Sequence, residues 1–319
     1  MGSTNEVKIF SGSSNPELAQ KICDELGLTL GNITISRFAD GEIGIAVEET
    51  VRGRDVFFIQ STNDPVNDHL MEALIAADAF KRASAHHINL VIPYYGYARQ
   101  DRKNRGREPI TAKLVTDLIE TAGVDRVIAV DLHAGQIQGY FDIPLDHLQA
   151  KPIISEYFKS IIPENEKEKW AVVSPDLGGV TRARKLADAL GLDIAIIEKS
   201  RPKPNESQVM NVIGEFKDKN CIIIDDIIDT AGTITNAANA LVEKGANKVY
   251  ISATHGVLSK DAVKKIENSV VEECVITDTI ALPESKKSNK IKVLTMSKII
   301  AETIRRVSNY KSVSELLGE

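Results

Sequence analysis

At 319 residues the chain is long enough for two ordinary domains, each with a core of its own. Its 43% hydrophobic and 26% charged residues are the balance of a globular protein. The net charge of −6 argues against a general nucleic-acid binder, and no apolar run nears the roughly 18 residues that cross a bilayer.

Short β-rich runs alternate with helical patterns along the whole chain. Strand 7–10 precedes helix 16–26, and an alternating stretch over 33–51 turns at Asp40-Gly41 like a hairpin. Strand 56–60 leads to helix 68–82, strand 88–92 to helix 111–122, and strand 126–130 follows. The pattern resumes with strand 171–173, helix 180–190 and strand 194–197. Next come a strand opening at Cys221, helix 234–244, strands 249–253, 274–278 and 291–294, and helix 297–307. Strand–helix alternation predicts an α/β fold of mostly parallel sheets flanked by helices. Two echoes suggest duplication: Ser11…Leu26-Gly27-Leu28 with Ser174…Leu190-Gly191-Leu192, and 122–127 with 244–249, followed by His133 and His255. They predict two similar domains, 1–150 and 151–319, joined near 145–160, with the hairpin as an insertion in the first. Cys23, Cys221 and Cys274 lack metal-type spacing and fall in predicted elements, as reduced thiols of a cytoplasmic protein would. There is no signal-peptide pattern, and Glu6 stands where a myristoylation signal needs Ser or Thr.

The most informative stretch is CIIIDDIIDTAGTITN at 221–236. Four apolar residues make a buried strand, Asp225 and Asp226 follow, and Asp229, Thr230, Ala231, Gly232 and Thr233 form a tight loop before a helix. Ligands of open parallel sheets sit beyond the carboxyl ends of strands. Small residues let backbone amides converge on an anion there, helped by the helix's positive end and by hydroxyls of Thr230, Thr233 and Thr235. The acidic pair suits ribose hydroxyls or a bridging cation, so the stretch describes a pocket for a 5-phosphorylated ribose. Its plain alternative is a capped helix after an Asp-rich turn.

Other constellations lie at predicted strand ends. Residues 99–107 pack five cations, among them Arg99, Arg102, Lys103 and Arg105, into nine positions beside Tyr94, Tyr95 and Tyr97. Cations next to aromatics suit a nucleotide; a solvated loop is the alternative. Asp131 and His133 end strand 126–130, where a lone histidine is as often structural. Ser174-Pro175-Asp176-Leu177-Gly178-Gly179 offers glycines for backbone approach and Asp176 for a metal or hydroxyl. Lys199 and Arg201 open a loop over 199–209 whose prolines, Pro202 and Pro204, bar a helix.

These motifs, and the chain nearly end to end from KIFSGSS to IAETIRR, resemble the class I ribose-phosphate pyrophosphokinases, built from two phosphoribosyltransferase-type domains. The resemblance implies an enzyme that moves the β,γ-diphosphoryl group of ATP to the C1 hydroxyl of ribose 5-phosphate, with Mg²⁺. Residues 229–233 would hold the 5-phosphate, and Asp225 and Asp226 the ribose. Asp176, Gly178 and Gly179 would form the pyrophosphate loop. His133, Asp131 and Asp176 would serve the metal, and Lys199 and Arg201 would be catalytic. Arg99, Gln100 and Asp101 would meet ATP, with Phe38, Asp40 and Glu42 supplied by a neighbouring subunit of a homo-oligomer, a hexamer built from dimers. Arg52, Ser84, Arg102, Lys103 and Arg105 match a regulatory site for phosphate or ADP, although Gly106 replaces a serine common in the family. The alternatives are a phosphoribosyltransferase, which leaves 99–107 without a task, and a catalytically silent paralogue, which residues 133, 176, 199 and 201 argue against.

Overall fold

The structure, a computed structural model, describes residues 6–200 and 209–316. It divides into two compact units.

The first unit opens with β1 (Val7–Ser11), α1 (Pro16–Leu26) and a two-stranded antiparallel ribbon of β2 (Ile33–Arg37) and β3 (Ile43–Val47). Then come β4 (Asp55–Ile59), α2 (Val66–Arg82), β5 (His87–Ile92), α3 (Thr111–Ala122), β6 (Arg126–Val130) and β7 (Leu145–Leu148). Its main sheet is wholly parallel in the order β1-β4-β5-β6-β7. The runs DVFFI and HINLVI are buried almost throughout, because helices cover both faces of such a sheet. The hairpin turns where expected: Gly41 takes a φ of 97° and its amide donates to the Phe38 carbonyl.

The second unit carries α4 (Lys151–Ile161), β8 (Trp170–Ser174), α5 (Val180–Leu190), β9 (Asp193–Ser200), β10 (Val209–Ile213), β11 (Asn220–Ile228), α6 (Gly232–Glu243), β12 (Lys248–Gly256), α7 (Ala262–Glu267), β13 (Val271–Thr277) and β14 (Ile291–Leu294). The order is β10-β9-β8-β11-β12-β13-β14, parallel except for β10 at one edge. Its final helix, α8 (Ser297–Ser308), belongs instead to the first unit.

The duplication is legible in the topology. In each sheet the first strand of the repeat is followed laterally by four later ones: β1, then β4 to β7; β8, then β11 to β14. Even the β9 position has a trace in the first unit, a single parallel bridge between Ile9 and Leu30. The Leu-Gly-Leu echo marks equivalent helices, α1 and α5, both closed by a left-handed glycine at φ 69° (Gly27 and Gly191). The second echo is out of step. It equates β6 with β12, whereas the topology equates β12 with β5; a glycine that ends a helix before a strand is too general to mark a repeat.

Two expected boundaries move. The stretch 145–160, read as the join, holds β7 and most of α4. The change of unit falls between Gln149 and Ala150, but Thr279–Ala281 and the chain from Thr295 onward return to the first unit, so the second does not run to residue 319. There α8 packs on α1, as α4 packs on α5 in the second unit. Each repeat's closing helix thus covers the first helix of the other repeat. The loop 199–209 also shrinks: β9 continues through Ser200 and β10 starts at Val209, while Arg201 and both prolines lie outside the described residues.

The first core centres on Phe10, Phe58 and Phe80, with Phe80 4.9 and 5.8 Å from the other two ring centroids. Phe80 is fully buried. Phe80→Ala is expected to cost about 3–5 kcal/mol in denaturant unfolding, since the cavity cannot be refilled by its rigid neighbours; a loss below about 1 kcal/mol would show a core able to collapse around the gap. The three cysteines are buried free thiols, and burial pushes them up to about 11 for Cys23 and about 12 for Cys221 and Cys274. They are unreactive as thiolates at neutral pH.

Candidate active site

The acidic pair is not beyond a strand but inside one. β11 pairs with β12 through Ile228, whereas its pairing with β8 stops at Ile223. β8 ends one residue later, at Ser174, so β11 runs on past it at the carboxyl edge. Asp225, half-buried, and Asp226, 5% exposed, lie on this stretch.

What neutralises them is a residue the sequence reading missed. Arg182, in the first turn of α5, places Nη1 2.9 Å from Asp225 Oδ1 and Nη2 3.2 Å from Asp226 Oδ1. A cation in the first turn of a helix opposes the helix dipole, and that conflict was the available signal. The Asp226 amide also donates to Asp225 Oδ1 at 2.9 Å. Burial raises the Asp225 carboxyl to about 7; its hydrogen bond with, and repulsion by, Asp226 push the same way, and Arg182 opposes them.

The loop after β11 is built for exposed amides. Leu258 and Ser259 donate their amides to the Ile228 and Asp229 carbonyls, both at 3.0 Å, and fix its base. Ala231 stands at the helix N-cap with φ 59°, a left-handed conformation, and its side chain has no oxygen to cap α6. The first-turn amides therefore lack the usual side-chain acceptor. Thr230 and Thr233 are exposed, and a Cβ at Gly232 would meet nothing within 4 Å. Thr235, expected as a third donor to a ligand, is turned inward: its hydroxyl donates to the Ala231 carbonyl at 2.8 Å. Ala231→Val is expected to lower stability by about 1–2 kcal/mol, because a branched side chain tolerates this φ poorly; an unchanged unfolding midpoint would remove the strain argument.

The Gly-rich turn precedes α5 in the same unit. Ser174 Oγ donates to the Asp176 carbonyl at 2.6 Å, and the Gly179 amide donates to Asp176 Oδ1 at 2.9 Å. A Cβ at Gly179 would approach Ser174 Oγ to 3.0 Å and one at Gly178 would approach Asp176 Oδ1 to 3.3 Å, so glycine keeps the turn tight.

In the first unit Arg99 and Gln100 line a cleft of about 460 Å³ with Asp64, Asp68, Tyr94 and Tyr97. Thr111 Oγ1 donates to Gln100 Oε1 at 2.6 Å. Tyr95 is not a stacking face: it is 2% exposed, and its hydroxyl donates to the Ala112 carbonyl. Asp101 is also turned in, 6% exposed, accepting from Gln136 Nε2 at 2.9 Å. Phe38, 62% exposed, sits with Asp40 and Glu42 at the hairpin tip, and none of the three lines this cleft within the chain.

Asp131 takes a φ of 36°, and His133 is exposed two residues on. His147, on the unanticipated β7, accepts the Leu132 amide at its Nε2 at 2.9 Å, so it fixes this turn. Arg52 and Ser84 are brought together by a bond from the Gly53 amide to the Ser84 carbonyl, 2.8 Å. Arg102, Lys103 and Arg105 are exposed on a separate loop, where Glu108 Oε2 accepts the Asn104 and Arg105 amides. The side chain of Lys199 is outside the described residues, as is all of Arg201.

Fold and site define an α/β enzyme with acids, glycines and cations gathered at the carboxyl ends of parallel strands. A family model for the N-terminal domain of ribose phosphate pyrophosphokinase matches residues 7–123, and one for a phosphoribosyl synthetase-associated domain matches 198–318. A ribose-phosphate pyrophosphokinase of Fusobacterium nucleatum is 61% identical over 314 residues, 98% of this chain and 99% of the relative. One from Bacillus subtilis is 59% identical over 312 residues, 98% and 97% of the two chains. The crystal structure of phosphoribosylpyrophosphate synthetase from Mycobacterium smegmatis superposes with a TM-score of 0.90 at 44% identity, covering 96% of this chain and all of that one. The chain belongs to the ribose-phosphate pyrophosphokinase family.

Proposed function

We propose that the chain transfers the β,γ-diphosphoryl group of ATP to the C1 hydroxyl of ribose 5-phosphate, giving 5-phosphoribosyl 1-diphosphate and AMP in the cytoplasm. The observation that carries this reading is β11 itself: in a chain of this family, two acids held by Arg182 lead into a helix start with no side-chain cap. The amides and hydroxyls of residues 229–233 receive the 5-phosphate. Asp225 and Asp226 accept hydrogen bonds from the ribose hydroxyls, and Arg182 keeps both carboxylates aimed. The C1 oxygen bonds to the β-phosphorus, the bond from that phosphorus to the α-bridging oxygen breaks, and the hydroxyl proton passes to solvent. The chain mainly positions the partners and spreads charge.

ATP takes the cleft of Arg99 and Gln100, with Asp101 next in the chain and Phe38, Asp40 and Glu42 arriving from a second copy in a hexamer built from dimers. The glycine turn with Asp176, Gly178 and Gly179 receives the diphosphate, and Lys199 and Arg201 act on the transition state. Asp131 and His133 in the first unit would offer Mg²⁺ a carboxylate and an imidazole, and Asp176 in the second would offer it a carboxylate. Mg²⁺ keeps several waters and takes its remaining oxygens from phosphate, so a sparse protein donor set fits it. When bound, it supplies neutralisation of phosphate charge. Arg52, Ser84, Arg102, Lys103 and Arg105 form the seat for phosphate or ADP as effectors.

The test is incubation of the purified chain with ATP, Mg²⁺ and ribose 5-phosphate. AMP is expected only when the sugar is present. ADP as the product, or AMP formed without the sugar, would overturn the proposal.

A further inference from the structure

At the amino-terminal edge of the first unit's sheet, three donor side chains meet that the proposed reaction does not use. β4 begins at Asp55 and β5 at His87, and the parallel register sets these residues side by side. His86 is drawn in too, because its amide donates to the Arg54 carbonyl at 2.8 Å. Asp55 Oδ1 lies 2.8 Å from His86 Nδ1 and 3.4 Å from His87 Nδ1. The two rings stand edge to face with centroids 4.1 Å apart. All three donor atoms fall within 4.8 Å of one another, a grouping found at this place among the described residues.

We propose that Asp55, His86 and His87 form a site for a divalent transition-metal ion of the zinc type, distinct from the Mg²⁺ chemistry at the opposite edge of the sheet. A tetrahedral ion with bonds of about 2.0–2.1 Å sets neighbouring donors roughly 3.3–3.4 Å apart, and the two Asp–His separations straddle that spacing within a small side-chain adjustment. Two imidazole nitrogens and one carboxylate oxygen select zinc, nickel or copper(II) over the oxygen-seeking Mg²⁺ and Ca²⁺. The absence of a thiolate disfavours copper(I). Placement supports entry and closure alike. The carboxylate is 9% exposed and anchored in the sheet, while the imidazoles are 44% and 47% exposed, so an ion reaches them without opening the core.

A fourth ligand has room. A cleft of about 330 Å³ adjoins the group, lined by Asp55 and His87 together with Asn89, Asp125 and Tyr310. Arg126, which also lines it, is engaged by Asp146 at 2.7 Å. Three ligands with a fourth position facing a cleft is the open form of such a site. A bound ion would tie the starts of β4 and β5 together and so stabilise the first unit by mass action.

The test uses the full chain stripped with a chelator and titrated with Zn²⁺ in excess Mg²⁺. Calorimetry should read one tight Zn²⁺ per chain and a raised unfolding temperature. The His86→Gln/His87→Gln variant should lose both while unfolding like the metal-free parent. X-ray absorption on the zinc-loaded parent should show two imidazole nitrogens at about 2.0 Å. Equal Zn²⁺ uptake by parent and variant, or an oxygen-only shell in the parent, would overturn the site; the second readout stands even if the variant does not fold.

Discussion

Replacing Lys199 and Arg201 together by alanine is expected to lower turnover by at least about 10²–10³-fold, the scale for one lost transition-state donor, while binding of ribose 5-phosphate changes little. The described backbone bears on Lys199. β9 pairs with β8 up to Ser174–Ile196 and then runs on through Ser200, so Lys199 extends past the end of β8 on the edge that carries the Asp176 turn. A cation at that edge would meet charge that grows on the phosphoryl oxygens only as the bond to AMP breaks. Steady-state rates and direct sugar binding, measured on the same variant, separate the two effects. Equal losses in both would make the pair a binding element; unchanged turnover would remove it from the mechanism.

Asp225→Asn is expected to weaken ribose 5-phosphate binding by roughly tenfold or more, about 1.4 kcal/mol, yet to make the free enzyme more stable at mildly alkaline pH. The reason is the direction of its titration. Burial, with Asp226 beside it, lifts this carboxyl from 3.8 to about 7. A carboxyl raised in the folded state contributes stability in full below the unfolded value and loses it as pH rises through the folded one. The parent should therefore lose stability between about pH 4 and pH 7, in a step that the asparagine variant lacks. Ribose affinity should move the other way, rising as the carboxylate forms. Melting curves and binding across that range check both. A parent and variant with parallel pH profiles would mean that Arg182 offsets the burial and repulsion completely.

Much of this was readable in the sequence, and what was not has physical causes. Helices α1, α3 and α5 keep their expected bounds because each ends on a left-handed glycine, a signal local to the chain. β7 and α4 were passed over because 145–160 carries neither the β-branched run nor the cap that marks such elements; sheet pairing with β6 supplies what the local sequence lacks. The placement of α8 could not be read from its own residues, since its apolar face fits any suitable surface and contact with α1 decides. In the site, the loop residues and acids were legible as a run along one strand–loop–helix. Arg182 and His147 were not, because each acts across a gap of many residues: 43 from Arg182 to Asp225 and 15 from His147 to Leu132. Thr235 and Tyr95 were misread for the converse reason: a hydroxyl near a site can as easily satisfy a buried carbonyl.

The most direct measurement follows the C1 oxygen of the sugar. Ribose 5-phosphate carrying a heavy-oxygen label at that hydroxyl is converted with ATP, and the product is analysed for the label in the bond between C1 and phosphorus. Attack by the hydroxyl on the β-phosphorus retains the label there in full. Loss of the label beyond the exchange that the sugar alone undergoes with water through its open-chain aldehyde would mean that the enzyme breaks the bond from C1 to oxygen, and diphosphoryl transfer to the hydroxyl would no longer describe what this enzyme does.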